Sequence, residues 1–352
     1  MKTYIAPVMQ EDPDSAIIST AAMALKNEGL VIFPTETVYG LGCNAYSGTA
    51  ALKIFRVKGR PADNPLIVHF SDMEMLEQIV SFIPDIVLER WNLFWPGPLT
   101  IILPKSDRIP MEVSAGLSSV AVRMPAGKVA LELIKEAGVP VAAPSANIST
   151  KPSITDSRFA IQDFQGKVDV ILDGGPTRFG IESSVLDLRG ERPVLLRAGS
   201  MTAESISMIF GEIEIDNVAR GLEMAKDPIS PGTKYKHYSP ERPIFVTSDL
   251  EVYLEINRRY SMDPRVFFMG VNEAILPATL KCFTLGSIHE PAVAGSRLFI
   301  GFRELDISGS NLGIIHPFQE QHEGLAIMNR VRKASTGVVS SVEEFKRILE
   351  SD

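Results

Sequence analysis

Cysteine is almost missing from this chain. Among its 352 residues only Cys43 and Cys282 occur, far apart and without the spacing of metal ligands. Neither a disulfide framework nor a zinc cluster organises such a sequence, and a reducing compartment is expected. Both thiols read as small buried hydrophobes. Apolar runs approaching the roughly 20 residues of a membrane span are also lacking. Glu11, Asp12 and Asp14 stand where a signal peptide needs its apolar core, so a cytoplasmic protein with no membrane partner is expected. A surplus of positive charge is lacking as well, 35 Lys and Arg standing against 43 Asp and Glu for a formal net charge of −8. A broad electrostatic grip on nucleic acid needs the opposite sign, so any basic site must be local.

Several catalytic signatures are absent too. No G-x-x-x-x-G-K-[ST] phosphate loop occurs, and His69 has no second histidine near it in sequence. No serine stands in a G-x-S-x-G elbow, which leaves hydrolase readings little support.

What is present is an ordinary globular composition, 45% hydrophobic and 22% charged, which excludes a mainly disordered chain. The length exceeds one comfortable core, so two domains are expected. Ala16–Asn27 reads as a helix stopped near Gly29, and Leu30–Phe33 as a short strand ended by Pro34. Leu66–Phe70 reads as a buried strand, and Ser71 with Glu74 as a capping box opening a helix to about Val80. Thr100–Leu103, Val120–Val122, Val139–Ala143, Val168–Leu172 and Val185–Leu188 add strands, with a helix over Val129–Ala137. This alternation predicts an α/β fold with a large twisted sheet.

Glu223–Pro240 then holds few apolar residues and carries the turn signals Pro231-Gly232 and Ser239-Pro240. Beyond it, Ile244–Thr247, Val266–Met269 and Leu312–Ile315 read as strands. Helices are expected around Leu250–Tyr260 and Pro291–Glu304, and a last one behind a capping box of Ser341 and Glu344. The expected layout is a catalytic domain over 1–213, a linker over 214–240 and a smaller Rossmann-like α/β domain over 241–352.

The densest polar chemistry lies between Phe33 and Phe70. Arg56, Lys58 and Arg60 fall within five residues without an acid among them. A solvated basic face is the competing reading. Pro61 and Asn64-Pro65 weigh against it, because they end the helix and fix a loop that holds the cations. A held Lys-x-Arg pair suits a polyphosphate, where arginine forks onto two oxygens and lysine supplies a point charge. Gly40, Gly42 and Ala45 also match a dinucleotide fingerprint, but six residues separate the strand from Gly40 and no acid follows about 20 residues on. Arg60 stands there instead, which leaves an NADP reading open. A second cluster, Ala142–Ser153, places Ser145 and Asn147 just beyond a strand end, where α/β sheets bind ligands. Arg123, Ser183 and Arg197 lie at further strand ends.

These residues together resemble a known family. Pro34-Thr35-Glu36-Thr37-Val38-Tyr39-Gly40-Leu41, Lys58-Gly59-Arg60-Pro61 and Ser145-Ala146-Asn147 are similar to the YrdC family, whose K-x-R and S-x-N pairs mark the active site. Lys234–Pro240 and Gly324–Arg330, with Lys333-Ala334-Ser335, look like motifs of its long two-domain form. The resemblance implies synthesis of L-threonylcarbamoyl-adenylate from ATP, L-threonine and bicarbonate, with Mg²⁺ accompanying ATP. The product then passes to tRNA threonylcarbamoyltransferase proteins, and direct tRNA binding by this chain is expected to be weak or absent. Lys58 and Arg60 are implied to be catalytic. Thr35, His69, Arg123 and Ser183 are implied to hold threonine or its carbamate. Lys58, Arg60, Asn64, Ser119, Ser145, Asn147, Ser153 and Arg197 are implied to face ATP, and Tyr235 to reach the nucleotide from the linker. Three departures stand out: Ser184 replaces a common threonine, Thr150 a common glycine and Thr233 a common methionine. A non-enzymic RNA-binding module and a carbamoyltransferase related to hydrogenase maturation are the rival readings.

Overall fold

In the computed structural model, which describes residues 2–223 and 238–351, the backbone divides into two units. The first comprises residues 2–149 and 153–223, the second residues 150–152 and 238–351.

Strands of the first unit are β1 (Tyr4–Pro7), β2 (Val31–Pro34), β3 (Tyr39–Asn44), β4 (Ile67–His69), β5 (Leu99–Pro104) and β6 (Ser119–Arg123). They continue with β7 (Val141–Ala142), β8 (Val170–Asp173), β9 (Ser184–Asp187), β10 (Val194–Arg197) and β11 (Glu214–Ile215). All join one sheet in the order β1-β8-β2-β3-β7-β4-β6-β5-β9-β10-β11. It is mixed: β4 runs parallel to β6 and antiparallel to β7, and β5 runs antiparallel to β6 and parallel to β9.

Helices Ser15–Lys26 and Lys128–Ala137 pack on this sheet because each carries a stripe of small and branched apolar residues. Ala21, Ala22, Leu25, Val129, Leu133 and Ile134 are buried there against Val31, Phe33, Val141 and Leu172. Each of the valine, leucine and isoleucine side chains contributes about 1.5–3 kcal/mol by leaving water. Asp14 caps the first of these helices by accepting from the amides of Ala16 and Ile17.

Four expectations need correction. Cys282, read as buried, is exposed, whereas Cys43 is buried. The helix expected behind Ser71 is capped one residue later, by Asp72, whose carboxylate accepts from Met75 N at 2.8 Å. The stretch read as linker starts later than 214, since Glu214 and Ile215 pair with Val194 and Leu195. Asn217–Arg220 is then a short helix capped by Asp216 and closed by Gly221. Finally, Gly40 and Gly42 do not open a helix at all; they lie within β3. A Cβ on Gly42 would stand 2.7 Å from both Phe33 and Val141, and one on Gly40 would stand 3.1 Å from the Phe33 ring. The glycines make room for Phe33, and the dinucleotide reading falls.

The second unit is an open sheet of β12 (Ile244–Thr247), β13 (Val266–Gly270), β14 (Cys282–Thr284), β15 (Leu312–Ile315) and β16 (Gly337–Val339). Its order is β14-β13-β15-β12-β16 with every pairing parallel. That is third-second-fourth-first-fifth, so the two central strands are exchanged relative to the dinucleotide-binding order. Tyr253, Ile256, Phe268, Ile314, Phe345 and Leu349 share its core. The capping box expected at Ser341 and Glu344 is met on one side: Glu344 N donates to Ser341 Oγ, whereas Glu344 Oε2 accepts from Ser340 N, one residue before the cap.

Candidate active site

The helix Gly48–Lys58 begins at Ser47, whose Oγ accepts from Ala50 N, and ends at Gly59 with φ of 62°. That left-handed residue turns the chain sharply, leaving Lys58 in the last helical turn and Arg60 in the loop beyond. The two cations meet different surroundings. Lys58 is 2% exposed, so the competing reading of a solvated basic face fails for this cation. Its Nζ donates to the carbonyl oxygens of Ser145 and Asn147 and lies 3.5 Å from Asn147 Oδ1. Ser145 Oγ in turn donates to that Oδ1 at 2.6 Å, and Ser149 N donates to Lys58 O. Burial first, and the Arg60 charge second, push the Lys58 ammonium well below its ordinary range, with Glu182 acting in the opposite sense. Arg56, the third cation of the run, faces solvent.

Arg60 Nη2 donates to the carbonyl oxygens of Asn64 and Pro65 at 3.2 and 3.4 Å. Asn64 is fully buried, and neither its side-chain Oδ1 nor its Nδ2 has a hydrogen-bond partner. Leaving a buried amide unsatisfied costs about 1–3 kcal/mol, a deficit that a polar ligand would relieve. The K-x-R and S-x-N pairs are thus one assembly.

A second assembly gathers at the end of β6. Thr35 Oγ1 and Thr37 Oγ1 lie 2.8 Å apart, and Arg123 Nη1 donates to Thr37 Oγ1 at 3.0 Å. Arg123 Nη2 meets Glu36 Oε1 at 2.6 Å, with both residues buried. His69 pairs in register with Arg123 across β4 and β6, and its ring stands edge-on to Phe33. Burial first, and the Arg123 charge second, push the His69 pKa down to about 3, so the imidazole is neutral.

Ser183 and Arg197 form a third group: Arg197 Nε donates to Ser183 O at 3.0 Å and Nη2 donates to Ser183 Oγ at 3.1 Å. Ser183 Oγ also lies 2.7 Å from Thr100 Oγ1. Beside it, Ser153 Oγ donates to Glu182 Oε1. Ser183 and Arg197, expected to serve different substrates, are therefore direct neighbours.

Ser119 stands apart. It begins β6, four residues before Arg123 and so about 13 Å along the strand. Its Oγ accepts from Arg189 Nη1, whose guanidinium is held by Asp187. Tyr235 and Thr233 lie outside the described residues. Thr150, where the resembling family commonly has glycine, takes a φ of 74°. Ser184, in place of a common threonine, directs its hydroxyl to Met201 O.

Sequence reasoning passed over Glu36, Thr37, Thr100 and Glu182. Only Glu36 and Thr37 left a signal, by sitting in the Pro34–Leu41 motif, because an acid in a polar loop otherwise reads as solvated.

Comparison with known proteins identifies the family. The family model named Sua5_yciO_yrdC, described as telomere recombination, matches residues 23–199. A model of the threonylcarbamoyl-AMP synthase C-terminal domain matches residues 201–336. The chain belongs to the Sua5/YciO/YrdC family. It is 42% identical to a threonylcarbamoyl-AMP synthase of Pyrococcus abyssi over 90% of this chain and 94% of that one. Its identity to the Bacillus subtilis protein of the same name is 41%, over 93% of this chain and 94% of that one. Among solved structures, P. abyssi Sua5 complexed with L-threonine superposes with a TM-score of 0.88 at 40% identity, covering 96% of this chain and 100% of that one. The Sua5-type, two-part architecture thus extends over nearly the whole sequence.

Proposed function

We propose that this chain is an L-threonylcarbamoyladenylate synthase, a nucleotidyltransferase that condenses ATP, L-threonine and bicarbonate. The observation that carries the reading is the Lys58 ammonium fixed on the Ser145–Asn147 loop beside Arg60 and the unsatisfied Asn64 amide. The names of the similar proteins support the same reaction, and the L-threonine in the P. abyssi structure supports an amino-acid subsite.

The chemistry asks little of the protein as a reagent. The threonine amine attacks the carbon of bicarbonate, water leaves, and a carbamate forms. A carbamate oxygen then attacks the α-phosphorus of ATP, the bond to the bridging oxygen breaks, and pyrophosphate departs. Neither step uses an enzymic nucleophile. Three demands remain: bringing the substrates together, placing cations on the developing phosphate charge, and keeping water from the labile carbamate. Lys58 and Arg60 answer the second. Thr35, His69, Arg123 and Ser183 form the threonine and carbamate subsite in this reading, and Asn64, Ser119, Ser145, Asn147, Ser153 and Arg197 face the nucleotide. Mg²⁺ enters with ATP, screening phosphate charge. Among the described residues no group of three or more His, Cys, Asp or Glu suited to a metal occurs.

The product serves tRNA threonylcarbamoyltransferase proteins in the cytoplasm. Among the described residues no helix is long and apolar enough to cross a membrane. The test is mass detection of threonylcarbamoyl-adenylate, with each substrate omitted in turn. Adenylate formed without threonine or without bicarbonate would overturn the proposal.

A further inference from the structure

We propose that Glu36 is a positioning residue of the threonine subsite, acting through Arg123; this rests on the threonine role proposed for Arg123. Both oxygens of the Glu36 carboxylate are engaged, Oε1 by Arg123 Nη2 at 2.6 Å and Oε2 by Gly127 N at 3.3 Å. Its backbone is tied as well, since Phe179 N donates to Glu36 O at 2.9 Å. Gly127 packs close against this turn: a Cβ there would lie 3.1 Å from Glu36 N and 3.2 Å from Thr35 Cα, tighter than most side-chain contacts. The carboxylate is thus clamped between the loop that follows β6 and the turn that carries Thr35 and Thr37.

Arg123 has five N–H groups. Three are spent on Gly97 O, Thr37 Oγ1 and Glu36 Oε1. Their acceptors come from two separate segments, the Glu36–Thr37 turn and the stretch holding Gly97, so the guanidinium plane is fixed before any ligand arrives. Two N–H groups remain for a substrate carboxylate. Glu36 also cancels the charge of a guanidinium that is 3% exposed, which would otherwise sit uncompensated in the interior. Recognition of threonine then depends on the direction of the remaining donors rather than on bulk attraction, and Glu36 sets that direction.

The experiment is a double-mutant cycle on the full chain with Glu36→Ala, Arg123→Ala and the pair together. It is read by threonine calorimetry without ATP and by separate KM values for threonine and ATP. Each single variant is expected to weaken threonine by about tenfold or more while leaving the ATP KM within about twofold. The double variant is expected to be no worse for threonine than Arg123→Ala, because Glu36 has nothing left to position. Glu36→Gln, which keeps an acceptor for Nη2, should recover most of the threonine affinity. The proposal is overturned by losses that multiply in the double variant, by threonine and ATP constants that move in parallel, or by a Glu36→Gln as weak as Glu36→Ala. Should Glu36→Ala fail to fold, the double variant removes both buried charges and still reports against Arg123→Ala. Threonine calorimetry needs no turnover, so it decides the role of Glu36 even if wild-type chain makes no adenylate.

Discussion

Lys58 and Asn147 are joined twice over: the lysine Nζ donates to the asparagine carbonyl oxygen and stands 3.5 Å from its side-chain Oδ1. The last turn of one helix thereby fixes the loop that follows β7, and two motifs 87 residues apart act as one device. A cation held this way has its direction set before a phosphate arrives, which removes reorganisation from the reaction itself.

Replacing Lys58 with Ala is expected to lower pyrophosphate release by about tenfold or more, as is Arg60→Ala, since each removes a charge placed for the transferring phosphate. Stability should separate the two. Lys58→Ala leaves the Ser145 and Asn147 carbonyls without their donor and costs about 1–3 kcal/mol. Arg60, which is half-buried, should cost less. Pyrophosphate assays and denaturant midpoints measure both, and a fully active double variant would contradict the assignment.

Thr150 sits at φ 74°, where a branched side chain is strained and glycine is not. Thr150→Gly should therefore stabilise the chain by about 0.5–1 kcal/mol, even after the entropy that glycine adds to the unfolded state. A thermal midpoint about 1–3 °C higher is the expected reading. Thr150→Val, which keeps the branch at Cβ, should bring no gain. A Thr150→Gly protein less stable than wild type would show that the hydroxyl or methyl supplies more than the backbone loses.

The sequence made the central strands legible and hid the edges. Ile244–Thr247, Leu312–Ile315 and the helix Leu250–Tyr260 stand where apolar pattern and turn residues place them. The unforeseen β1, β11, β14 and β16 are the outermost strands of their sheets. Edge strands are short and face a neighbour on one side only, so Glu214–Ile215 or Gly337–Val339 needs no apolar run. β3 escaped for another reason: its glycines erase the alternation that marks a strand, because Phe33 occupies the space of their side chains. Within the site, charged and amide residues in motifs were visible, but their partners were not. Glu36 reads as a solvated acid until the fold places Arg123 upon it.

Gly42 offers a direct check of that packing account. An added methyl would meet Phe33 and Val141, each 2.7 Å from the Cβ position, and both belong to the core beneath the helices. Gly42→Ala should destabilise the chain by about 1–3 kcal/mol through overpacking. Shortening the obstruction with Phe33→Leu in the same chain should recover part of that loss, since contacting sites couple. Wild-type protein should leave NADPH fluorescence unchanged on mixing, as a glycine pair inside a strand makes no phosphate cradle.

His69 links stability to pH with a definite sign. Its folded pKa is about 3 because burial and Arg123 disfavour the imidazolium, whereas the unfolded side chain titrates near 6.5. Between those values the unfolded chain holds a proton that the folded chain lacks. Stability is therefore complete above about pH 6.5 and falls as the pH is lowered towards 3, with a slope of up to about 1.4 kcal/mol per pH unit for one proton. His316 is buried and shifted in the same direction, so the wild-type slope contains both histidines. His69→Gln should remove its share and flatten urea midpoints measured between pH 6.5 and 5, while leaving the His316 share in place. A variant that keeps the full wild-type slope would mean that His69 carries its proton in the folded protein, and that the neutral imidazole beside Arg123 is wrong.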